Sequence, residues 1–405
     1  MSENKPEKGS GTLREVRPLF PRLTPETAKA LDEYGRVLKA VHPLKAKHAQ
    51  QLPQDIRNLS LSLTAERGPG PRANYLSNPA NLSAYLYYFL PWNLYRLSRL
   101  LPGLDWQVPD GATIVDVGAG PLTLAQALWI SRPHLRSRRL RIVCLDQTGQ
   151  VLEVGAKLFA ALAGAEGRNW SLELARGPVH LLAREQAQAI TAVNTVNEMG
   201  QGRGLAGHEA LTRLADIFLQ GLAPGGRLLL VEPGTRLGGK LLGRLRGLLS
   251  EEGLCTLGPC THQEACPMLD KSWRSWCHFT LPVENAPDWL TRLGKLAELE
   301  KTRVSLSYLE MAAAAHEFQT DQARVVSGTF AMPKGRACYA CAFDGLHLLT
   351  MPVKPHGLEP GASARIAWPT SQGRDAKTGA WLTPLDHLPG AAPVGPKIPP
   401  RKRQE

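Results

Sequence analysis

The chain has seven cysteines, and six of them have the type and spacing of metal ligands. These six are Cys255, Cys260, Cys266, Cys277, Cys338 and Cys341. Thiolates are soft ligands, and thiolates that cluster in a sequence commonly bind zinc or an iron–sulfur cluster. A zinc ribbon would favour two Cys-x-x-Cys pairs, but the chain has one, at Cys338 and Cys341. The uneven loops and the distant pair favour an iron–sulfur cluster, with zinc as the alternative.

A turn with two glycines, Gly118 and Gly120, follows an apolar run that predicts a strand over Thr113–Val117. Small residues at such a turn let the backbone approach a ligand before the next helix begins. A dinucleotide-binding fingerprint would need a third glycine at the position of Thr123. The turn therefore predicts a nucleotide site of another type.

An acidic residue, Asp116, stands just before the first glycine. This arrangement resembles the first motif of class I methyltransferases, which bind S-adenosylmethionine. In that family an acid at the end of the second strand accepts hydrogen bonds from the ribose hydroxyls. Asp146 ends the second predicted strand here. The resemblance implies that Asp116, Gly118, Gly120 and Asp146 contact the cofactor. The alternative is that the glycines only form a tight turn and Asp146 caps a helix.

The segment 193–199 should line the acceptor side of the same cleft. It lacks the Asn/Asp-Pro-Pro-aromatic signature of many base methyltransferases, and no other catalytic set is visible. Glu198 either lines the cleft or caps the following helix. Methyl transfer can proceed by proximity alone, so the sequence predicts no catalytic residue and leaves both an enzyme and a non-catalytic protein open.

Short apolar runs alternate with helical patterns from residue 112 onward, which is typical of a parallel sheet covered by helices. We predict an α/β fold, with a doubly wound, mostly parallel, Rossmann-like sheet of the class I methyltransferase type. This methyltransferase-like domain should cover residues 105–352. A cysteine-rich insertion at 251–280 should interrupt it between its fifth and sixth strands.

The two ends of the chain have a different composition. Residues 1–104 should form an N-terminal disordered segment, over 1–20, and a helical region. A helix should begin after Thr24, which is a favourable N-cap. Residues 353–405 are rich in Pro and Gly and end in basic residues, which predicts a poorly ordered tail.

The net charge of +12 favours a polyanionic partner, and RNA is the usual one. Aromatic residues make up 6% of the chain, too few to suggest a base-stacking platform. No apolar stretch approaches the roughly 20 residues that a membrane-spanning helix needs. The first residues are charged and lack the apolar core of a secretory signal, so we expect a cytoplasmic protein with no membrane partner.

Several short motifs occur in an informative order. They are Asp116–Pro121, Val231–Thr235, Gly258–His262 with Cys266 and Pro267, Trp276–Phe279, and Ser307–Leu309. Together they resemble the methyltransferase-like proteins associated with the mitochondrial small ribosomal subunit and their bacterial relatives. The resemblance covers about residues 75–350.

This resemblance implies a class I methyltransferase fold, a four-cysteine [4Fe–4S] site, and a role in maturing or assembling the small ribosomal subunit through contact with rRNA. The motifs place three cluster ligands at Cys260, Cys266 and Cys277. The fourth belongs to a late strand, where Cys341 is expected and Cys338 is the alternative, with Cys255 as a spare or competing ligand.

Two other functions are compatible with the sequence. One is a non-catalytic ribosome assembly factor that retains the methyltransferase fold. The other is a small-molecule methyltransferase with a structural zinc. The sequence does not identify a methylated nucleotide or an oligomeric state.

Overall fold

The computed structural model describes residues 9–64, 75–199, 204–269, 275–314, 316–352 and 357–387. Two eight-stranded sheets organise this part of the chain. One is an open sheet covered by helices, and the other closes into a barrel.

A strand and four helices precede the open sheet. They are β1 (Gly11–Arg17), α1 (Pro25–Val41), α2 (Ala46–Thr64), α3 (Pro79–Ala84) and α4 (Leu90–Leu100). Helix α1 begins where the sequence predicts, because the Thr24 hydroxyl accepts the Thr27 N–H and a proline occupies the first helical position. A π-helical turn at Tyr85–Phe89 joins α3 to α4.

The open sheet contains eight strands. They are β2 (Thr113–Val117), β3 (Leu140–Asp146), β4 (Trp170–Arg176), β5 (Ala187–Val193), β6 (Leu222–Pro233), β7 (Cys255–Gly258), β8 (Phe279–Pro282) and β9 (Arg303–Ala312). Their order is β4-β3-β2-β5-β6-β9-β7, with β8 also paired to β9. The first five are parallel, and β9 runs antiparallel to β6.

Helices cover both faces of this sheet. They are α5 (Thr123–Ser131), α6 (Gly149–Ala163), α7 (Val196–Met199), α8 (Gly204–Gly221), α9 (Arg236–Glu251) and α10 (Asp288–Leu296). Successive strand residues point to opposite faces, so Ile114 packs with Leu124 of α5 in one core cluster, whereas Val115 packs with Phe218 of α8 in another. The predicted doubly wound, mostly parallel sheet is present.

The second sheet is a closed barrel of β1, β14, β10, β12, β13 and β16, because β16 pairs with both β13 and β1. After β1, the strands of this sheet are β10 (Gln322–Val325), β11 (Phe330–Met332), β12 (Gly335–Ala342), β13 (Gly345–Met351), β14 (Ser363–Ala367), β15 (Gly373–Arg374) and β16 (Trp381–His387). Strands β11 and β15 pair with barrel strands but are not part of the closed ring. Its core contains Leu13, Val325, Leu349 and Ile366.

The barrel differs from what the sequence predicts at both ends of the chain. Residues 11–17 form β1 instead of a disordered segment, and residues 363–387 contain three strands instead of a poorly ordered tail. The strands are short and separated by Pro and Gly, so their apolar alternation is weak, and pairing across more than 300 residues stabilises them. Residues 1–8, 353–356 and 388–405 of the two predicted segments lie outside the described residues.

The cysteine-rich segment is also placed differently. Strand β7 lies inside residues 251–280 and pairs with β9, so the irregular part follows the sixth strand of the sheet instead of preceding it. Among the helices that the structure describes, none is long and apolar enough to cross a membrane.

Candidate functional site

The glycine turn between β2 and α5 has a left-handed backbone. The φ angles are +66° at Gly118 and +51° at Gly120. A Cβ atom on Gly118 would lie 2.2 Å from the Thr195 side chain, which belongs to the loop after β5. Glycine is required at 118 both by the backbone angle and by this close approach. The turn is therefore held against the loop after β5, which the sequence predicts to line the acceptor side of the cleft.

Asp146, the last residue of β3, accepts hydrogen bonds from two backbone N–H groups. Its Oδ2 accepts from Gly120 at 3.0 Å, and its Oδ1 accepts from Thr148 at 2.8 Å. The sequence-predicted Gly120 and Asp146 are thus brought together. The bond to Thr148 also fits the alternative role beside the start of α6. A carboxylate offers about four acceptor positions, so both contacts leave room for further donors.

Asp116 lies deeper than the other predicted cofactor residues. Its side chain is buried, and its Oδ1 accepts a hydrogen bond from the Thr191 hydroxyl on β5 at 2.8 Å. Burial raises the pKa of this carboxyl to about 7, and the nearby Asp146 adds to the increase. Asp116 therefore links β2 to β5 directly below the turn.

A cleft of about 430 Å³ opens at Gln147, the residue after β3, and none of the four predicted cofactor residues is part of its lining. Its wall includes Gln147 and Thr148 after β3, Leu174 and Arg176 on β4, and Ser77 from the helical region. In doubly wound sheets ligands bind at the carboxyl ends of the strands, and the volume falls in the range of small-ligand pockets. The size of the cleft suits a small ligand, and it lies next to the turn and carboxylates that the sequence predicts for the cofactor instead of being formed by them.

Two glutamates, Glu198 and Glu232, lie in or against the loop after β5 that the sequence predicts to be the acceptor side. Glu232 at the end of β6 is fully buried and accepts the Val196 N–H at 2.8 Å, so it fixes the loop that carries Glu198. Burial raises the pKa of Glu232 to about 8. Glu198 on α7 is exposed to solvent, and partial desolvation together with the neighbouring Asp146 raises the pKa of its carboxyl to about 7.

Four thiols line a second pocket, and they are the four predicted cluster ligands, Cys260, Cys266, Cys277 and Cys341. Three come from the irregular segment after β7, and the fourth comes from strand β12 of the barrel. Burial raises the pKa of the Cys277 and Cys341 thiols well above the usual value, and the other thiols add to this increase. The fold therefore brings together residues that are 81 positions apart in sequence.

The remaining two cysteines of the group lie elsewhere. Cys338 and Cys341 are both on β12, but their odd spacing sends them to opposite faces. Cys338 packs inside the barrel, whereas Cys341 packs with the larger core cluster beside the open sheet. Cys255 lies on β7 opposite Ala312 of β9.

Two buried or partly buried arginines stand beside the thiol pocket. Arg246 of α9 donates to the Thr256 hydroxyl and to the His262 and Glu264 carbonyls. Arg324 of β10 donates at 2.7 Å to the carbonyls of Pro259 and Gly361. Both guanidinium groups act to lower the pKa of the Cys260 thiol, against the larger effect of burial.

His262 contacts the pocket from the same loop. Its Nε2 lies 3.4 Å from the Cys341 sulfur, and its side chain is buried. Burial and Arg246 lower its pKa to about 4, so the ring is neutral at neutral pH. In the described part of the chain, no group of three His, Cys, Asp or Glu side chains is arranged to hold a single metal ion.

Solved structures similar to this chain include two methyltransferases. One is a precorrin-6y C5,15-methyltransferase from Geobacter metallireducens, with 15% identity, 56% of this chain and 86% of that chain covered, and a TM-score of 0.31. The other is a methyltransferase from Pyrococcus furiosus, with 12% identity, coverage of 66% and 98%, and a TM-score of 0.32. TM-scores this low do not decide a fold, which here follows from the strand order.

No curated protein matches the chain. The family model described as mitochondrial small ribosomal subunit Rsm22 matches residues 79–368. The matched region includes the glycine turn, the acceptor-side loop, and all four thiols of the second pocket. Since it spans well over half of the sequence, the chain belongs to the Rsm22 family.

Proposed function

We propose that this chain is a methyltransferase-like factor of small ribosomal subunit maturation that binds S-adenosylmethionine and a [4Fe–4S] cluster. The observation that carries the proposal is the single pocket lined by Cys260, Cys266, Cys277 and Cys341. The family's description names the small ribosomal subunit, which supports rRNA as the partner.

The residues around the thiol pocket fit a cluster better than a single ion. A [4Fe–4S] cluster takes four cysteine thiolates, one on each iron, so its ligands surround a volume instead of converging on one point. Four thiolates also need nearby positive charge, and Arg246 and Arg324 supply it. The cluster would stabilise the fold by joining the segment after β7 to the barrel.

The proposed S-adenosylmethionine site combines the cleft after β3 with the glycine turn and the carboxylates next to it. Gly118 and Gly120 would let the methionine part approach the backbone, and Asp146 would accept from the ribose hydroxyls. Asp116 belongs to the same proposed set, at the floor of the turn. The bound cofactor would supply an electrophilic methyl group.

The test of the cluster is anaerobic purification followed by absorption spectroscopy with iron, sulfide and zinc analysis. We expect a brown protein with about four irons per chain. Serine at Cys260, Cys266 or Cys277 should abolish the colour, whereas Cys255→Ser, a matched change on β7, should leave it. A colourless protein with one zinc would instead support the small-molecule methyltransferase with a structural zinc.

The test of the cofactor site is calorimetric titration with S-adenosylmethionine. Asp146→Ala should weaken binding at least tenfold, because it removes the proposed acceptor for the ribose hydroxyls and the hydrogen bond to the Gly120 N–H. A second candidate is a non-catalytic assembly factor, favoured by the missing acceptor signature in residues 193–199. It predicts binding to the small subunit with no methyl transfer from labelled cofactor.

The site of action is part of the proposal. The sequence predicts a cytoplasmic protein, whereas the family's description names mitochondria. Fractionation of cells that express the tagged full chain distinguishes the two compartments.

A further inference from the structure

The outer face of α9 carries a row of three cations. Arg236, Lys240 and Arg244 follow each other at intervals of four residues, so they lie on one face of the helix. The opposite face packs Leu242 and Leu245 into the core. Arg236 and Arg244 are exposed and Lys240 is partly exposed. Among the described residues, none of the three cations forms an ion pair with a carboxylate.

Charges of one sign at this spacing repel each other within a helix. No acidic residue occurs in α9 before its last position, Glu251. The three cations therefore concentrate positive charge, and no carboxylate of the same helix lies near enough to balance it. Such a row is stabilised when a polyanion lies along it.

An aromatic pair lies against the first turns of the same helix. The rings of Trp276 and His278 stack with centroids 4.8 Å apart and planes at 23°. The Trp276 indole N–H donates to the Gly234 carbonyl at 3.0 Å, just before α9. A Cβ atom on Gly239 would lie 2.7 Å from the Trp276 ring, so glycine lets the indole approach the helix closely. Both rings remain partly exposed.

We propose that a single-stranded segment of RNA docks on this surface, which we call the α9 surface and define as Arg236, Lys240, Arg244, Trp276 and His278. Proteins bind single-stranded RNA with cations that contact the phosphates and aromatic rings on which bases stack. The exposed Leu237 adds an apolar contact on the same turn. The inference rests on the proposed role in the small ribosomal subunit and names the surface that contacts its RNA.

The position of the surface also fits this role. Helix α9 begins directly after β6, so Arg236 lies at the edge of the sheet where the parallel strands β2 and β3 end. The glycine turn and Asp146 lie at that same edge. RNA on the α9 surface would therefore lie on the cofactor side of the sheet.

The test compares two triple variants of the full chain, purified anaerobically in the same way as the wild type. R236E/K240E/R244E reverses the row, and K157E/R213E/R292E reverses three exposed cations on α6, α8 and α10. The probe is a fluorescein-labelled single-stranded RNA of about 12 nucleotides, within the site sizes of such proteins. Affinity is measured by anisotropy at several salt concentrations.

We expect the α9 variant to lose at least tenfold in affinity. The slope of log affinity against log salt should fall by about 2, because each phosphate contact with a single strand contributes about 0.7. The control variant should bind like the wild type. Calorimetry with S-adenosylmethionine and iron analysis should be unchanged in both, which excludes misfolding as the cause.

A second variant tests the stacking part. Trp276→Ala should weaken binding at least about fivefold, as expected for one lost stacked base, with the salt slope unchanged. Trp276→Phe should recover most of the affinity, because phenylalanine keeps an aromatic face. Since Trp276 precedes Cys277, the iron content of both variants is measured alongside.

The outcomes separate this inference from the proposed function. If the wild type binds the RNA probe and the α9 variant binds it equally well, the α9 surface is not the RNA site. Co-sedimentation with purified small subunits is measured for the same proteins, and if the α9 variant keeps the probe but loses the subunit, the surface binds protein and the inference is also wrong. If the wild type binds neither the probe nor the subunit, the proposed function itself fails.

Discussion

At the scale of single residues, the backbone and surroundings of Gly118 leave no room for a side chain. Its left-handed φ would cost a side-chain-bearing residue about 1–2 kcal/mol, and overpacking against Thr195 would add about 1–3 kcal/mol. Gly118→Ala should therefore destabilise the chain by about 2–5 kcal/mol. It should also weaken S-adenosylmethionine binding, because the turn moves.

Gly111→Ala is the matched control for this change. Gly111 has a left-handed φ of +77°, but a Cβ atom there would meet nothing within 4 Å. Only the backbone cost should remain, and the cofactor affinity should not change. Urea unfolding and calorimetry measure both quantities, and equal losses in the two variants would show that the contact with Thr195 has no role.

The buried Glu232 makes stability depend on pH. Burial raises its pKa from 4.5 to about 8, so the folded state binds a proton that the unfolded state releases. Stability should therefore fall as pH rises from about 4.5 to about 8. Glu232→Gln removes this titration and can still accept the Val196 N–H through its amide oxygen.

From about pH 5 to about pH 8 the wild type should lose about 1–3 kcal/mol of unfolding free energy relative to Glu232→Gln. Urea unfolding at several pH values measures it. Parallel stability curves would show that Glu232 has the same pKa in both states.

At the scale of elements, the alternation along β12 decides between two neighbouring cysteines. Cys341 faces the thiol pocket and Cys338 faces the barrel core. Cys341→Ser should remove the iron, whereas Cys338→Ser should keep it and lose about 1–3 kcal/mol of stability from a polar group in the core. Iron analysis and urea unfolding measure the two effects. Iron loss from Cys338→Ser alone would mean that β12 is turned the other way.

Elements with strong local patterns could be predicted from the sequence. The apolar run 113–117 followed by glycines predicted β2 and its turn, and the N-cap Thr24 predicted the start of α1. The barrel could not be predicted, because β1 is stabilised by pairing Thr12 with Ala367, and no local pattern carries that contact. The contact of Glu232 with the loop after β5 was missed for the same reason.

At the scale of the whole molecule, the thiol pocket lies where the barrel meets the methyltransferase-like sheet. The barrel contributes Cys341 and Arg324, and the sheet's irregular segment contributes the other three thiols. Arg324 also donates hydrogen bonds to carbonyls in both parts, at Pro259 in the irregular segment and at Gly361 before β14. A cluster bound here would connect the two parts, so the iron-free protein should lose this connection first.

Anaerobic chelation of iron should therefore raise hydrogen exchange in β10, β12 and residues 259–267, while β2 and β3 stay protected. Metal binding contributes to folding free energy locally when its ligands come from separate elements, and exchange reports such local opening. The effect should be absent when the chelator is added to Cys341→Ser, which serves as the iron-free control. Equal deprotection of β2 and β3 would mean that the cluster stabilises the entire fold instead of the contact between its two sheets.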